Sequence, residues 1–161
     1  VMHAGFSPSI GTLSRPTGTI IYDEKNVSAS SVRIDLDLAS LDMGDAAWNR
    51  KVASDFLITQ KYPTASFRST AVQLITENLL QVSGDLRVAG GSTPVTFNVV
   101  INAHKRHPLT LKKTLGMQAS TDFSRQALGI NAWSSVVGDR VHLDVSIEAI
   151  RTNTKPDEDK P

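Results

Sequence analysis

Apolar and polar residues alternate almost without interruption in four stretches of the chain. Val32, Ile34, Leu36 and Leu38 are separated by Arg33, Asp35 and Asp37, while Leu80, Val82, Leu86 and Val88 enclose Gln81, Ser83, Asp85 and Arg87. Val95, Phe97, Val99, Ile101 and Ala103 repeat the pattern, and Val141, Leu143, Val145 and Ile147 alternate with Arg140, His142, Asp144, Ser146 and Glu148. Side chains two apart in a strand share a face, so each stretch predicts an antiparallel strand with one apolar and one solvated side. A sheet this one-sided must hide its apolar face, and a single small domain does so by closing into a barrel.

Weaker signals fill the gaps. Pro8, Gly11 and Pro16 make the first segment turn-rich, before a short strand through Thr19, Ile20, Ile21 and Tyr22 that ends at Asp23 to Asn26. Alternation dissolves near Ser40, and the residues from Asp45 to Val52 predict a helix with Asp45 as its N-cap. Trp48, Val52 and Phe56 are spaced by four, which lays this helix over one end of the sheet as a lid or plug. Tyr62 and Pro63 mark the return to a strand in which Ala65, Phe67, Ser69 and Ala71 share a face. Turns at Glu77 and Asn78, then at Gly90 and Gly91, predict a meander of hairpins. A basic loop from His104 to Pro108 leads to a strand from about Leu109 through Met117 to Phe123, with further turns at Gly129 and Gly138. Val1 to Phe6 resemble the end of a strand running into a turn, which predicts a leader or first strand before Val1. The tail from Thr152 offers no apolar anchor and is expected to be disordered. The sum is one domain over 1–151 with about eight strands and one short helix.

Composition narrows the chemistry. With 161 residues the chain suits one domain with a core of its own, and the absence of cysteine removes thiol catalysis, disulfides and thiolate metal sites. Lys plus Arg number 17 against 16 for Asp plus Glu, which leaves no electrostatic footprint for nucleic acid. No apolar run approaches the roughly 20 residues of a membrane-spanning helix. Of the 4 histidines, His104 and His107 lie in a loop without a neighbouring carboxylate, and His142 falls on the polar face of its strand. His3, beside Gly5 and Phe6, is the one placed near a pocket rim. Asp35 and Asp37 are the wet side of an amphipathic strand rather than an acid–base pair. No serine sits in a nucleophile elbow, and Gly90–Gly91 lack the lysine and helix of a phosphate loop. No catalytic residue, metal or cofactor is therefore assigned, and a hydrolase or isomerase using His3 or an aspartate lacks a nameable base and nucleophile. Lys105, Arg106, His107, Lys112 and Lys113 form the notable basic patch. It suits anionic lipid head groups or a ligand phosphate, and equally a solvated strand edge that discourages sheet pairing.

The inward faces are built of Val, Leu, Ile and Ala with few aromatic rings. A barrel of about eight strands can fill itself with such side chains or leave a slot for a slender ligand. A hydrocarbon chain in that slot would gain roughly 0.8 kcal/mol per buried methylene.

Several strings resemble the YceI-like family. The most specific is Tyr62, Pro63, Thr64, Ala65, Ser66, Phe67, Arg68, Ser69, Thr70, similar to the family's Tyr-Pro, Phe and Ser-Thr signature. Val1 to Ser7 with Gly11 resembles its opening His-x-Gly-Phe-Ser, and Gly18, Ile20, Tyr22 and Asp23 its next strand. Gly84, Asp85, Leu86, Gly90, Ser92, Pro94 and Val95 resemble its central hairpin, and Arg125, Gly129 and Ile130 its late Arg to Gly-Ile pattern. Ala127 and Leu128 stand where Asp and Phe are usual, and Trp48, Asn49, Arg50, Lys51 and Val52 replace an Arg-Asp-x-His-Leu string, which marks a divergent branch. The resemblance implies an extended antiparallel lipocalin-like barrel, exported to the bacterial periplasm or secreted, its signal peptide removed. It implies an isoprenoid lipid or quinone in an apolar tunnel and no chemistry performed on it. Ile20, Tyr22, Ile34, Leu36, Phe67, Val82, Leu86, Phe97, Val99, Leu143 and Val145 are the expected lining. Trp48, Phe56 and Trp133 are expected at the ends, with His3 hydrogen-bonding a polar head. A homodimer and transient membrane contact through Lys105, Arg106, Lys112 and Lys113 are the expected partnerships. The competing expectation is a packed barrel that acts through its outer surface as a stress-related interaction or assembly module.

Overall fold

Each alternating stretch forms a strand in the computed structural model, which describes residues 1–152. Met2–His3 (β1) and Ser7–Pro8 (β2) make a small hairpin. Pro16–Ile21 (β3), Ser31–Asp37 (β4), Thr64–Thr76 (β5), Leu79–Val88 (β6), Gly91–Arg106 (β7), Lys113–Ser124 (β8) and Arg140–Ile150 (β9) form one antiparallel sheet of 7 strands in chain order. The sheet curls without closing. Among the described residues β3 and β9 are its edges and do not pair with each other, so the architecture is a half-barrel rather than a sealed barrel of about eight strands. The opening residues pair with one another as β1 and β2 and contribute no strand to the sheet. The tail expected to be disordered lies, beyond Thr152, outside the described residues.

Curvature comes from local irregularities. Bulges interrupt the β5 register between Ser69 and Ala71 and between Leu74 and Thr76, and the β7 register between Ile101 and Ala103. One extra residue reverses which side chains face inward. Ala71, expected inside with Ala65 and Phe67, is therefore exposed, and Val72 is the buried one at 4% exposure. Gly84 permits close approach at the bulge, because a Cβ there would lie 2.2 Å from the Arg68 carbonyl and 2.7 Å from the Phe67 ring. The Phe67 and Phe97 rings meet edge-on at 5.0 Å in the core.

Two turns differ from the sequence expectation. The β6–β7 turn is centred on Ala89 and Gly90, both left-handed at φ 52° and 83°, the geometry a two-residue hairpin favours. Gly91 is the first residue of β7 instead, and a side chain there would run into the Leu128 carbonyl 2.0 Å away. The strand expected from Leu109 starts at Lys113, because residues 107–112 are folded into a turn with Leu111 at φ 57°. Asp45 caps the helix as anticipated, its carboxylate accepting from the Ala47 and Trp48 amides at 2.9 Å each. The helix, α1, covers Ala46–Lys51 and widens into a single π-turn at Val52–Phe56, which packs Phe56 against the core.

Candidate ligand-binding site

The curled sheet encloses a cavity of about 360 Å³ to which all seven of its strands contribute. Its volume lies within the roughly 300–1,000 Å³ of ligand pockets. Ile20, Tyr22, Ile34, Leu36, Phe67, Val82, Leu86, Phe97, Val99, Leu143 and Val145 all line it. Val72, Leu80, Ile101, Leu115 and Met117 complete the wall, and Leu13 reaches it from the segment before β3. Leu80 belongs to the alternating stretch that also supplies Val82 and Leu86, whereas the sequence signal for Val72 was hidden by the β5 bulge that separates its phase from that of Phe67. The cavity extends to the gap between the edge strands, since Ile21 on one side and Asp144 and Ser146 on the other are among its lining. Ile21 is 44% exposed, so the apolar wall continues to the surface.

Polar groups are sparse and sit at the margin. Tyr22 lines the cavity and meets His104 edge-on with ring centroids 5.6 Å apart, while Glu24 forms an ion-pair contact with the His104 imidazole. Burial pushes the Tyr22 phenol up, with the Glu24 carboxylate adding to the effect, so Tyr22 stays protonated and able to donate. These contacts tie the loop after β3 to the far part of β7 at one end of the half-barrel. Among the described residues no group of three or more His, Cys, Asp or Glu could hold a metal ion.

His3, Trp48, Phe56 and Trp133 do not line the cavity. They meet around the helix instead. His3 packs edge-on against Trp48 at 5.7 Å, Lys51 lies 4.2 Å over the Trp133 ring, and the Trp133 indole donates to Asp55 at 3.2 Å. The Arg125 guanidinium stands 5.7 Å over Phe56. Because His3 also bridges Val137 in the loop before β9, this cluster joins the N-terminal hairpin, the helix and that loop into a plug at the end bearing the β6–β7 turn. Spacing by four correctly identified a helical face, yet it could not show that Trp48 on that face would meet His3 and that Phe56 would meet Arg125 and the core.

On the outer face, His142 stands between Asp122 at 3.1 Å and Asp144 at 3.3 Å, with Arg140 2.8 Å from Asp122. The hydrogen bond to Asp122 and the charge of Asp144 raise the imidazole above its ordinary 6.5. The Arg140 and His142 hydrogen bonds hold Asp122 down to about 2. A raised imidazole contributes stability below its unfolded value that disappears as pH climbs through the folded one, whereas a depressed carboxylate contributes above its unfolded value and loses it on acidification. The cluster is thus tightest between the ordinary carboxylate and imidazole ranges. Proton NMR of the imidazole resonances should show His142 titrating above 6.5 and moving down in an Asp122→Asn variant.

Residues 1–149, which take in the plug and all of the sheet but its last residue, match the model of the YceI-like domain. The chain belongs to the YceI family. A UPF0312 protein of Pseudomonas putida (strain GB-1) is 33% identical over 152 residues, covering 94% of this chain and 78% of that protein. Protein YceI of Escherichia coli O17:K52:H18 is 30% identical over the same coverage. The crystal structure of the Campylobacter jejuni YceI protein superposes with a TM-score of 0.82 at 19% identity, covering 94% of this chain and 90% of that one. Burkholderia cenocepacia BcnA gives 0.79 at 24% identity over 89% of each chain.

The strings that resemble the YceI family have structural work in this member. Tyr62 packs its ring where a Gly90 side chain would stand, 2.5 Å from that glycine's absent Cβ, so the Tyr-Pro string and the glycine pair are one contact. Arg125 is 3% exposed and donates to the carbonyls of Ile130, Ala132, Val137 and Gly138 at 2.7–2.8 Å. Gly129 takes the left-handed turn at φ 77° that returns the chain to Arg125, and Ile130 drops into the core. Asp35, on the wet face, holds Arg68 by two bonds of 2.7 and 2.9 Å.

Proposed function

We propose that this YceI-like domain binds a long apolar isoprenoid lipid, a polyprenyl chain or an isoprenoid quinone, and carries or stores it without acting on it chemically. The observation that carries this reading is the cavity of about 360 Å³ walled by aliphatic and aromatic side chains from every strand of the sheet. Such a site recognises length and slenderness rather than charge. Ten buried methylenes would gain roughly 8 kcal/mol before the costs of association, so a few polar contacts at the margin are enough to orient the ligand. Tyr22 is the marginal donor best placed for a carbonyl or hydroxyl at the end of that chain. A periplasmic or secreted setting accords with a cargo drawn from membranes.

Native mass spectrometry of the gently purified protein, followed by organic extraction, tests the proposal. A bound mass that extraction identifies as isoprenoid supports it. A clean unliganded mass, persisting after incubation with a polyprenol or ubiquinone in detergent, overturns it.

A further inference from the structure

The β7–β8 hairpin projects from the end of the half-barrel opposite the helical plug, and its tip is apolar. Leu109 is 87% and Leu111 66% exposed, the first of these among the most exposed apolar side chains of the chain. Around them Lys105, Arg106, Lys112 and Lys113 are all exposed, and Arg151 joins the same end through its amide, which donates to the Lys113 carbonyl at 2.8 Å. Edge protection does not account for all of these charges. Lys113 pairs with Arg106 on one side and through that carbonyl with Arg151 on the other, so it guards no open edge.

The tip is also built rather than loose. The His107 Nδ1 accepts from the Leu109 and Thr110 amides at 3.2 and 3.3 Å, the Leu111 amide donates to the His107 carbonyl at 2.9 Å, and Arg106 donates to the Leu111 carbonyl at 3.3 Å. Leu111 holds a left-handed backbone, φ 57°, that glycine or asparagine would adopt with less strain. A leucine there displays an apolar side chain at a position where the backbone alone would favour another residue. The strands behind the tip lead straight into the cavity wall through Leu115 and Met117.

We propose that this hairpin is a membrane-docking element, inserting Leu109 and Leu111 among the acyl chains of a bilayer surface while the basic collar engages anionic lipid phosphates. An apolar tip ringed by lysine and arginine matches the layering of an anionic bilayer, with hydrocarbon beneath and negative charge above. The inference goes beyond the cavity's cargo and stands without it. It sets the end of the half-barrel marked by Tyr22 and His104 against the lipid surface.

Flotation of the full chain with vesicles of phosphatidylcholine alone, or mixed with phosphatidylglycerol, reads the contact. The protein is expected to float with the anionic vesicles and not with the zwitterionic ones, losing on the order of five-fold in partitioning for each basic side chain replaced. A Leu109→Ser, Leu111→Asn double variant should abolish flotation while its melting temperature is kept, since asparagine accepts the left-handed backbone. A Leu109→Trp variant should gain fluorescence, relative to the parent, that brominated acyl chains quench. A variant with a blocked cavity, Val99→Trp, should float like the parent, which separates this contact from cargo binding. Failure of the parent to float, flotation that survives the double variant, or loss of flotation in folded Val99→Trp would each overturn the proposal, and retention by an acidic protein column without vesicle binding would assign the hairpin to a protein partner instead.

Discussion

Replacing Val99 by tryptophan is expected to empty the cavity of lipid while leaving the sheet folded. Val99 is 6% exposed, sits in the middle of β7 between Leu80 and Ala119, and faces the cavity. An indole in place of the isopropyl group grows into open volume rather than into packed neighbours, so the strain falls within the usual 1–3 kcal/mol or so of an enlarged core residue. The cargo has no such freedom, because a chain that must run the length of the cavity meets the ring at its midpoint. Lipid co-purifying with the variant, read by native mass spectrometry, should drop at least about ten-fold, the equivalent of roughly 1.4 kcal/mol of lost affinity. Val100→Trp is the matched control. That residue is 37% exposed on the opposite face, and its tryptophan should leave the lipid content as in the parent. An unchanged lipid load in Val99→Trp, with a cooperative melt, would place the cargo elsewhere.

The cavity wall was legible because alternation is a direct record of which side chains face inward. Ile34, Phe97 and Leu143 could be assigned to the interior from spacing alone, and they line the cavity. Legibility failed where the period slipped. The bulge at Thr70 turned Ala71 outward and Val72 inward, and nothing in the residue types between Phe67 and Val72 announces an inserted residue. The edge of the sheet was equally silent, since closure depends on whether β3 and β9 meet in space and not on either strand's own pattern. For the end residues the difficulty was one of partners. Trp48 and Trp133 carry the amphipathic rings that suit a lipid–water boundary, yet the rings contact His3 and Lys51, positions distant in the chain whose approach is set by the plug. The basic hairpin shows the reverse. Its charges were plain in the sequence, while Leu109 and Leu111 were absorbed into an expected strand until the turn around His107 set them outside it.

Arg125→Ala should produce the largest loss of stability of any single substitution in the plug. The guanidinium is buried and spends its donors on four backbone carbonyls spread over residues 130–138, so one side chain closes the loop that leads into β9. Alanine removes every one of those donors at once and leaves carbonyls at Ile130 and Val137 without replacement, in a position water reaches poorly. A destabilisation of about 3–5 kcal/mol follows, or a fall on the order of 10 °C in melting temperature for a chain of this size. Arg125→Lys should fall between the two proteins, because a single ammonium cannot span acceptors on opposite sides of the planar fork. The loss should also be local before it is global. The loop carries the N-terminal hairpin through the Gly138 amide donating to the Met2 carbonyl at 2.8 Å, so amides of that hairpin should exchange with deuterium faster in Arg125→Ala while those in the middle of β7 keep their ranking. A melting temperature within a degree or two of the parent would show that the carbonyls find water or other donors, and that the clamp positions the loop without holding it.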